Sequence, residues 1–444
     1  MKIIIGGAGD VGTHLAKLFA KENHDIVLMD EHAERLQELS SDFDMMPLHV
    51  SPNSIKGLKE AGADKADLFI GVTPDESRNI TCCMLAHSIG ARKTVARIDN
   101  YEYLNADYHS FFAKMGIDSL IYPELLAARE IVESIRMSWI RQWWDVHDGE
   151  LALLGVKLRS NAEILDIPLM DILDRPYHIV AIKRNDETII PRGSDAVHDG
   201  DIVYFMTTKK YVPYIRKIAG KEQYADVRGV TIMGGGRIAV RTAQLLPEYM
   251  TLKIIEKNRE RCEKLNELIS DKVLIINGDG RDVHLLEEEG IKNTEAFIAL
   301  TDSSETNILA CLEAKRMGVR KTVAKVENID YINMAEKLDI GTIINKKTIA
   351  AGHIYQMLIN ADIENARRLT LANADVAEFL VPEGAKITTK PIKKLNLPSG
   401  INLGGLIRDG HGMLIGGDTV IEPGDRVVAF CKEHTMQKLE KFFK

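Results

Sequence analysis

Short runs of apolar and β-branched residues alternate along the chain with longer stretches whose apolar residues recur every three or four positions. Ile3-Ile4-Ile5 reads as a short buried strand. A glycine turn follows, and then a stretch over 11–23 with helical spacing. The same alternation continues with strands expected at 26–29, 68–72 and 94–98, and helices over 33–39 and 77–90. Strands that alternate with helices imply a parallel sheet with right-handed crossovers.

This pattern occurs twice. "IIIGGAGDVGTHLAKLF" near the start returns as "VTIMGGGRIAVRTAQLL" over 230–246, and Gly7, Gly9 and Gly12 fall on Gly234, Gly236 and Ala239. "HDIVLMDEHAERLQEL" returns as "MTLKIIEKNRERCEKL", and "ARKTVARIDN" as "VRKTVAKVEN". The segments that follow repeat more faintly. "IIPRGSDAVHDGDIVYF" resembles "MLIGGDTVIEPGDRVVAF", each a short polar turn, Gly-Asp and a β-branched run, as in a small α+β module. The chain therefore reads A–B–A′–B′, a tandem duplication, with borders near 139–155, 220–228 and 360–375.

Each A unit carries a glycine loop between a strand and a helix. The first glycine permits the tight turn, the second lets a pyrophosphate approach the backbone, and the third lets helix and strand pack closely. The helix N-terminus then offers free N–H groups and partial positive charge to phosphates. Asp30 ends the second strand of A, and Glu256 holds that place in A′. Such an acid accepts from ribose hydroxyls and repels a 2′-phosphate. The expected ligand is NAD(H) or an adenine nucleotide such as ATP or ADP, and not NADP.

Composition narrows the function further. The 444 residues carry 57 basic and 65 acidic side chains, a net charge of -8, which argues against nucleic acid as a partner. Basic pairs such as Lys346-Lys347 and Lys393-Lys394 read as solvated faces. Five cysteines form no CxxC pair and read as reduced core residues, and no motif suggests a metal site. No apolar run approaches the ~20 residues of a membrane span, and no secretory leader is evident, so a cytosolic location is expected. The B units show no His–Asp or Ser–Tyr–Lys constellation. His178 and His198 have no counterpart in B′ and read as surface histidines, so no catalytic residue is expected. An NAD-dependent oxidoreductase stays open as an alternative.

"GAGDVG", Asp30, "EAGADKADLFIGVT" and "ARIDN", with "GGGRIA", Glu256, "NGDGRD", "ALTDSSETN" and "AKVEN" in the second copy, resemble the RCK (KTN) family of potassium-conductance regulators. The resemblance spans nearly the full chain. It implies two Rossmann-like RCK-N domains (1–137 and 228–359), each followed by a small α+β RCK-C domain (145–225 and 366–444). Tandem chains of this family are similar to ring-forming peripheral subunits, homo-oligomers that regulate a TrkH-type membrane potassium transporter. Regulation of another cation transporter by the same modules is an alternative.

Carried over, the resemblance places Gly7, Ala8, Gly9, Asp10 and Val11 at the pyrophosphate of the first cleft and Asp30 at the ribose. It places Val50 and Ser51 beside the adenine, Thr73 and Pro74 at the end of the third strand, and Arg97 near the phosphates. The second cleft would use Gly234, Gly235, Gly236, Arg237, Ile238, Glu256, Gly278, Asp279, Thr301, Asp302 and Lys325. The two sites are expected to differ, because Val50-Ser51 stands where A′ has Gly278-Asp279.

After each A unit an amphipathic stretch follows, over 123–137 and 345–359. In RCK relatives such a helix crosses to a neighbouring A domain. All three tryptophans lie in "WIRQWW", where Trp139 and Trp143 stand four apart and could share one helix face at a hinge or packing cluster.

Overall fold

Ile3, Ile4 and Ile5 are fully inaccessible because the strand that carries them lies in the middle of a sheet. A computed structural model of the chain describes residues 1–20, 24–37, 45–172, 175–185, 187–224, 226–359, 365–369, 374–432, 435, 438–439 and 441–443. The last residues of the helices expected over 11–23 and 33–39, and most of the border expected at 360–375, lie outside these.

By contacts the chain divides into two units. The first comprises Met1–Ala127 and Asn345–Leu358. Its strands are β1 (Lys2–Gly6), β2 (Asp25–Asp30), β3 (Met46–His49), β4 (Leu68–Gly71), β5 (Thr94–Arg97) and β6 (Ser119–Ile121). They form one parallel sheet in the order β3-β2-β1-β4-β5-β6. This is the doubly wound arrangement, whose ligand crevice lies beyond the carboxyl ends of the strands, where the order reverses. β1 and β4 flank that point, so the loops after β1 and β4 define the crevice. The helix Glu76–Ile89 covers one face with Cys82, Cys83 and Ala86, packed among Ile4, Phe69 and Ala96. Of these, Ile4 and Phe69 each contribute about 1.5–3 kcal/mol by leaving water.

The helix Lys346–Ile359 follows the second A unit in sequence, yet Asn345–Leu358 belongs to the first unit. Lys346 pairs with buried Glu124 at 3.3 Å, and Lys347 with Asp10 at 2.7 Å. The solvated-face reading of this lysine pair is thus corrected, since both side chains are mostly covered and each meets a carboxylate. The helix Pro123–Arg136 passes from the first unit into the second at Ala128.

The second unit begins with an antiparallel sheet. Its strands are β7 (Gln142–Val146), β8 (Leu151–Lys157), β9 (Tyr177–Arg184), β10 (Glu187–Ile189) and β11 (Ile202–Thr207), in the order β10-β9-β11-β8-β7. The shared helix face expected of Trp139 and Trp143 is not found. The helix ends at Arg136, Trp139 lies in the turn that follows, and Trp143 and Trp144 are consecutive residues of β7. Pairing of Gln142–Val146 with β8 wins over the four-residue spacing. Trp139 and Trp143 still join one core, with Leu154, Ile182 and Phe205, while Trp144 faces a different cluster.

The second parallel sheet repeats the first. It runs β14-β13-β12-β15-β16-β17, from β12 (Gly229–Met233), β13 (Thr251–Glu256), β14 (Leu274–Asn277), β15 (Ala296–Ala299), β16 (Lys321–Lys325) and β17 (Thr342–Ile344). A second antiparallel sheet closes the chain, with β18 (Asn365–Leu369), β19 (Ala374–Leu380), β20 (Ile401–Arg408), β21 (His411–Leu414) and β22 (Arg426–Lys432) in the order β18-β19-β22-β20-β21.

The Gly-Asp signature of the B units has a structural reason. Asp201 is buried, takes a two-pronged bond from Arg184 at 3.0 and 2.8 Å, and accepts the His198 N–H. Asp425 does the same with Arg408 at 2.8 and 2.7 Å and with the Glu422 N–H. The two antiparallel sheets also share a core, with Leu151, Val180 and Met206 of one against Val376, Ile407 and Phe430 of the other. His178 lies at this seam, bonded to Asn402, and is not the surface histidine expected; His198 is exposed and pairs with Asp166.

Candidate functional site

The loop after β1 turns on Gly7, whose φ of 116° suits glycine, and a Cβ there would sit 2.9 Å from the Thr73 nitrogen. Gly234 repeats the turn at φ 101°. The next glycines differ in kind. A Cβ on Gly9 or on Gly236 would meet nothing within 4 Å. Both therefore face open space at the start of a helix, Asp10–Ala20 in one copy and Arg237–Leu245 in the other. This is the cradle an approaching phosphate needs. Val11 and Ile238 stand in the first turns of the two helices.

The acids that end β2 and β13 are tied to these loops. Asp30 is buried, and its Oδ2 accepts the Ala8 N–H at 2.7 Å while Oδ1 accepts the His32 N–H at 2.9 Å. Burial would raise its pKa. The two backbone donors, His32 and Arg35 outweigh that and hold the carboxyl below its usual range. Glu256 repeats the geometry, accepting the Gly235 N–H at 2.7 Å and the Asn258 N–H at 2.7 Å. Each carboxylate thus fixes its own glycine loop at the edge of a cleft, with lone pairs left for a hydroxyl donor.

The cleft of the first copy is about 250 Å³. Asp30, Thr73 and Pro74 line it, together with His32, Arg35 and Arg78. Val50 and Ser51 do not line it. Val50 packs against Gly57 in the core beneath, and the lining residue there is Pro52. Arg97 is also outside the lining, half-buried and paired with Asp99 at 3.3 Å. The cleft of the second copy is about 320 Å³. Gly234, Gly236, Glu256, Gly278, Asp279, Thr301 and Asp302, all expected there, line it. Lys325 is buried and reaches Asp302 at 3.3 Å. Ligand clefts start near ~300 Å³, so the second cleft has room for the adenosine part of a nucleotide beside its loop, while the first falls short of that size and its lining takes in no residue of its glycine loop.

Sequence reasoning missed three features. Arg35 and Arg261 stand five residues after the acid in each copy and approach it, at 3.5 and 3.8 Å. Asn79 and Asn307 are buried clamps. Each accepts the N–H of Thr73 or Thr301 and donates to the carbonyl of Arg97 or Lys325, joining the two loops behind the cleft. Arg281 pairs with Asp279 at 2.6 Å and holds that carboxyl well below its usual range. Alignment of the two copies with each other shows the first two pairs. The third lies within "NGDGRD", but its arginine has no counterpart in the first copy.

The copies differ most where phosphates would arrive. The first helix opens on Asp10, an acid that opposes an anion and whose partner is Lys347. The second opens on Arg237.

The TrkA-N domain matches residues 3–123 and 230–346, and the TrkA-C domain matches 153–220 and 376–444. The chain belongs to the TrkA family. One relative is the Trk system potassium uptake protein TrkA of Haemophilus influenzae, 32% identical over 100% of this chain and 98% of its own. Another is the Trk system potassium uptake protein TrkA homolog of Archaeoglobus fulgidus, 30% identical over the full length of both. Among solved structures, the GsuK RCK domain superposes with a TM-score of 0.61 at 14% identity, covering 100% of this chain and 94% of that one. The GsuK channel bound to NAD gives 0.60 at 14% identity, over 100% and 78%. At such identities the likeness is one of fold, and it gives this TrkA-family chain the RCK architecture. Among the described residues no helix is long and apolar enough to cross a membrane, and no group of three or more His, Cys, Asp or Glu could hold a metal ion.

Proposed function

We propose that this chain is a cytoplasmic nucleotide-sensing subunit, peripheral on the inner face of the membrane, that gates a TrkH-type potassium transporter. The observation that carries the reading is the repeated cleft, in which a glycine loop open to solvent is held by the carboxylate that would meet the ribose. The names of the full-length relatives support the potassium-uptake role. The NAD-bound GsuK channel supports NAD(H) as a ligand class.

The chain's own residues suggest how occupancy is read. In the second cleft Arg237, Arg261 and Lys325 supply positive charge around Glu256, Asp279 and Asp302. In the first, Lys347 neutralises Asp10, and Lys347 sits on the helix Lys346–Ile359. A phosphate at the loop would compete with Asp10 for that lysine, so binding would alter how the helix is held. Two conformations that bind the nucleotide differently are required, since a ligand shifts an equilibrium only by its differential affinity. Assembly of copies into a homo-oligomeric ring would pass the shift to the transporter.

The test is potassium flux in vesicles that contain the transporter and this chain, with NADH, NAD, ATP or ADP added. Flux should respond to at least one nucleotide, and Gly9→Asp or Gly236→Asp should abolish the response. Flux indifferent to all four nucleotides would refute a sensing role. NADH consumption with a candidate substrate would instead indicate an oxidoreductase.

A further inference from the structure

A cavity of about 70 Å³ lies inside the second unit, away from the nucleotide clefts. Three segments wall it: the turn after the Pro123–Arg136 helix, the first antiparallel domain, and the end of the second parallel sheet. It shares no lining residue with the second cleft. Its walls hold seven cationic side chains and no carboxylate.

Four of the cations have a partner behind the wall. Arg141 and Lys157 reach Asp339 at 2.5 and 2.9 Å, Lys315 reaches it at 3.4 Å, and Arg159 bonds it as well. One carboxylate therefore serves four cations. The other three, Lys221, Arg320 and Lys321, have no carboxylate within ion-pair distance among the described residues. Lys321 is buried, and its ammonium meets only the Ile140 carbonyl at 2.8 Å and the Thr342 hydroxyl at 3.1 Å. Lys221 is buried over the Tyr224 ring at 4.9 Å. Arg320 is exposed and lies near the same ring, at 6.0 Å.

Uncompensated buried cations are costly, and a fold normally pairs or discharges them. Burial, reinforced by Arg159 and Arg141, lowers Lys221 to about 8. Burial and the nearby Arg141 and Lys315 push Lys321 far below its ordinary value. The lining itself offers donors of positive charge and no carboxylate to compete for them, so a bound anion would let these lysines hold their protons. The cavity's volume equals that of about two waters at ~30 Å³ each, which suits one tetrahedral oxyanion and excludes a whole nucleotide.

We propose that this cavity is a binding site for a single phosphate group, whose oxygens take Lys221, Lys321 and Arg320 as charge-assisted donors. Bound there, the anion would tie the first antiparallel domain to the second parallel sheet. Seating of that domain would then depend on phosphate as well as on nucleotide. The inference stands whether or not the Rossmann clefts bind their proposed ligands.

Titration calorimetry of the full chain at pH 8 and constant ionic strength, with inorganic phosphate, pyrophosphate or chloride, tests it. Saturable binding of phosphate is expected, with proton uptake as Lys221 and Lys321 become fully charged, and no binding of chloride. Lys221→Gln and Arg320→Gln should each weaken it at least ~10-fold, the worth of one charge-assisted bond. Gly9→Asp and Gly236→Asp, which block the two nucleotide loops, should leave it intact. Without phosphate, Lys221→Gln should melt higher than the wild type, because a repelling charge is gone; this readout guards against simple misfolding. Pyrophosphate binding that needs Lys221 while phosphate does not bind would support the same site for the terminal phosphate of a larger ligand. Absence of saturable binding by either, or binding that survives both pocket substitutions and is lost with the loop substitutions, would overturn the proposal.

Discussion

His178 offers a pH test of the seam between the two antiparallel sheets. Its Nε2 donates to the Asn402 side-chain oxygen at 3.0 Å, and the Asn402 amide donates in turn to the Ile179 carbonyl at 3.4 Å. Burial, and then repulsion from Arg175, lowers its pKa to about 4, against an opposing pull from Asn402. In the unfolded chain the value returns to about 6.5. Between these values the unfolded state binds the extra proton and the native state does not. Stability is therefore fully present above pH 6.5 and is lost as pH falls towards 4. One pKa unit is worth about 1.4 kcal/mol, so the fall from pH 8 to pH 5 should remove about 2 kcal/mol. His178→Gln can keep the bond to Asn402 and cannot titrate. The assay is urea unfolding of both proteins, followed by tryptophan fluorescence. All three tryptophans lie at the edge of this domain, so the signal reports the second unit. The variant should gain on the wild type by about 2 kcal/mol between pH 8 and pH 5. A difference that stays constant with pH would refute the burial of a neutral histidine at the seam.

Four further outcomes follow from particular contacts. Gly12→Ala would bring a methyl within 1.8 Å of the Gly7 carbonyl oxygen and should cost at least about 1–3 kcal/mol in thermal unfolding. The mirror change Ala239→Gly, at the position of the other copy that already holds a buried methyl, should cost only about 1 kcal/mol. Asp339→Ala leaves Arg141, Lys157, Arg159 and Lys315 without their shared carboxylate and should cost about 3 kcal/mol. Hydrogen exchange should show the loss around β7 and β8. Lys347→Met exposes Asp10 as an unpaired acid at the first loop and should weaken nucleotide binding there about 10-fold by calorimetry, without affecting the second cleft.

Much of the parallel-sheet architecture is visible in the sequence because its strands are buried on both faces and bounded by glycine turns. Ile3–Ile5, the loop from Gly7 and the acid Asp30 fall where their pattern puts them, since each serves the same local geometry twice in one chain. What the pattern hides is which partner an apolar face meets. The residues from Lys346 onward read as an amphipathic helix, but no periodicity says that Asn345–Leu358 belongs with the first unit. Trp139 and Trp143 mislead for a related reason. Four-residue spacing suits a helix, and only the ladder to β8 makes Gln142–Val146 a strand. Val50 points into the core because its neighbour Gly57 leaves room for it, a fact of packing that the loop's sequence does not carry. The basic cavity is invisible for a simpler reason: its cations are spread from Arg141 to Lys321, so no charged block marks it.

The central claim is that both clefts bind a nucleotide and do no chemistry on it. Titration calorimetry with NADH, NAD, ATP and ADP, on the wild type and on Asp30→Ala and Glu256→Ala, tests it most directly. The account predicts that each substitution removes the binding of one site and leaves the other. Absence of binding by every nucleotide to the wild-type chain would mean that both glycine loops serve only as scaffolding, and would contradict it.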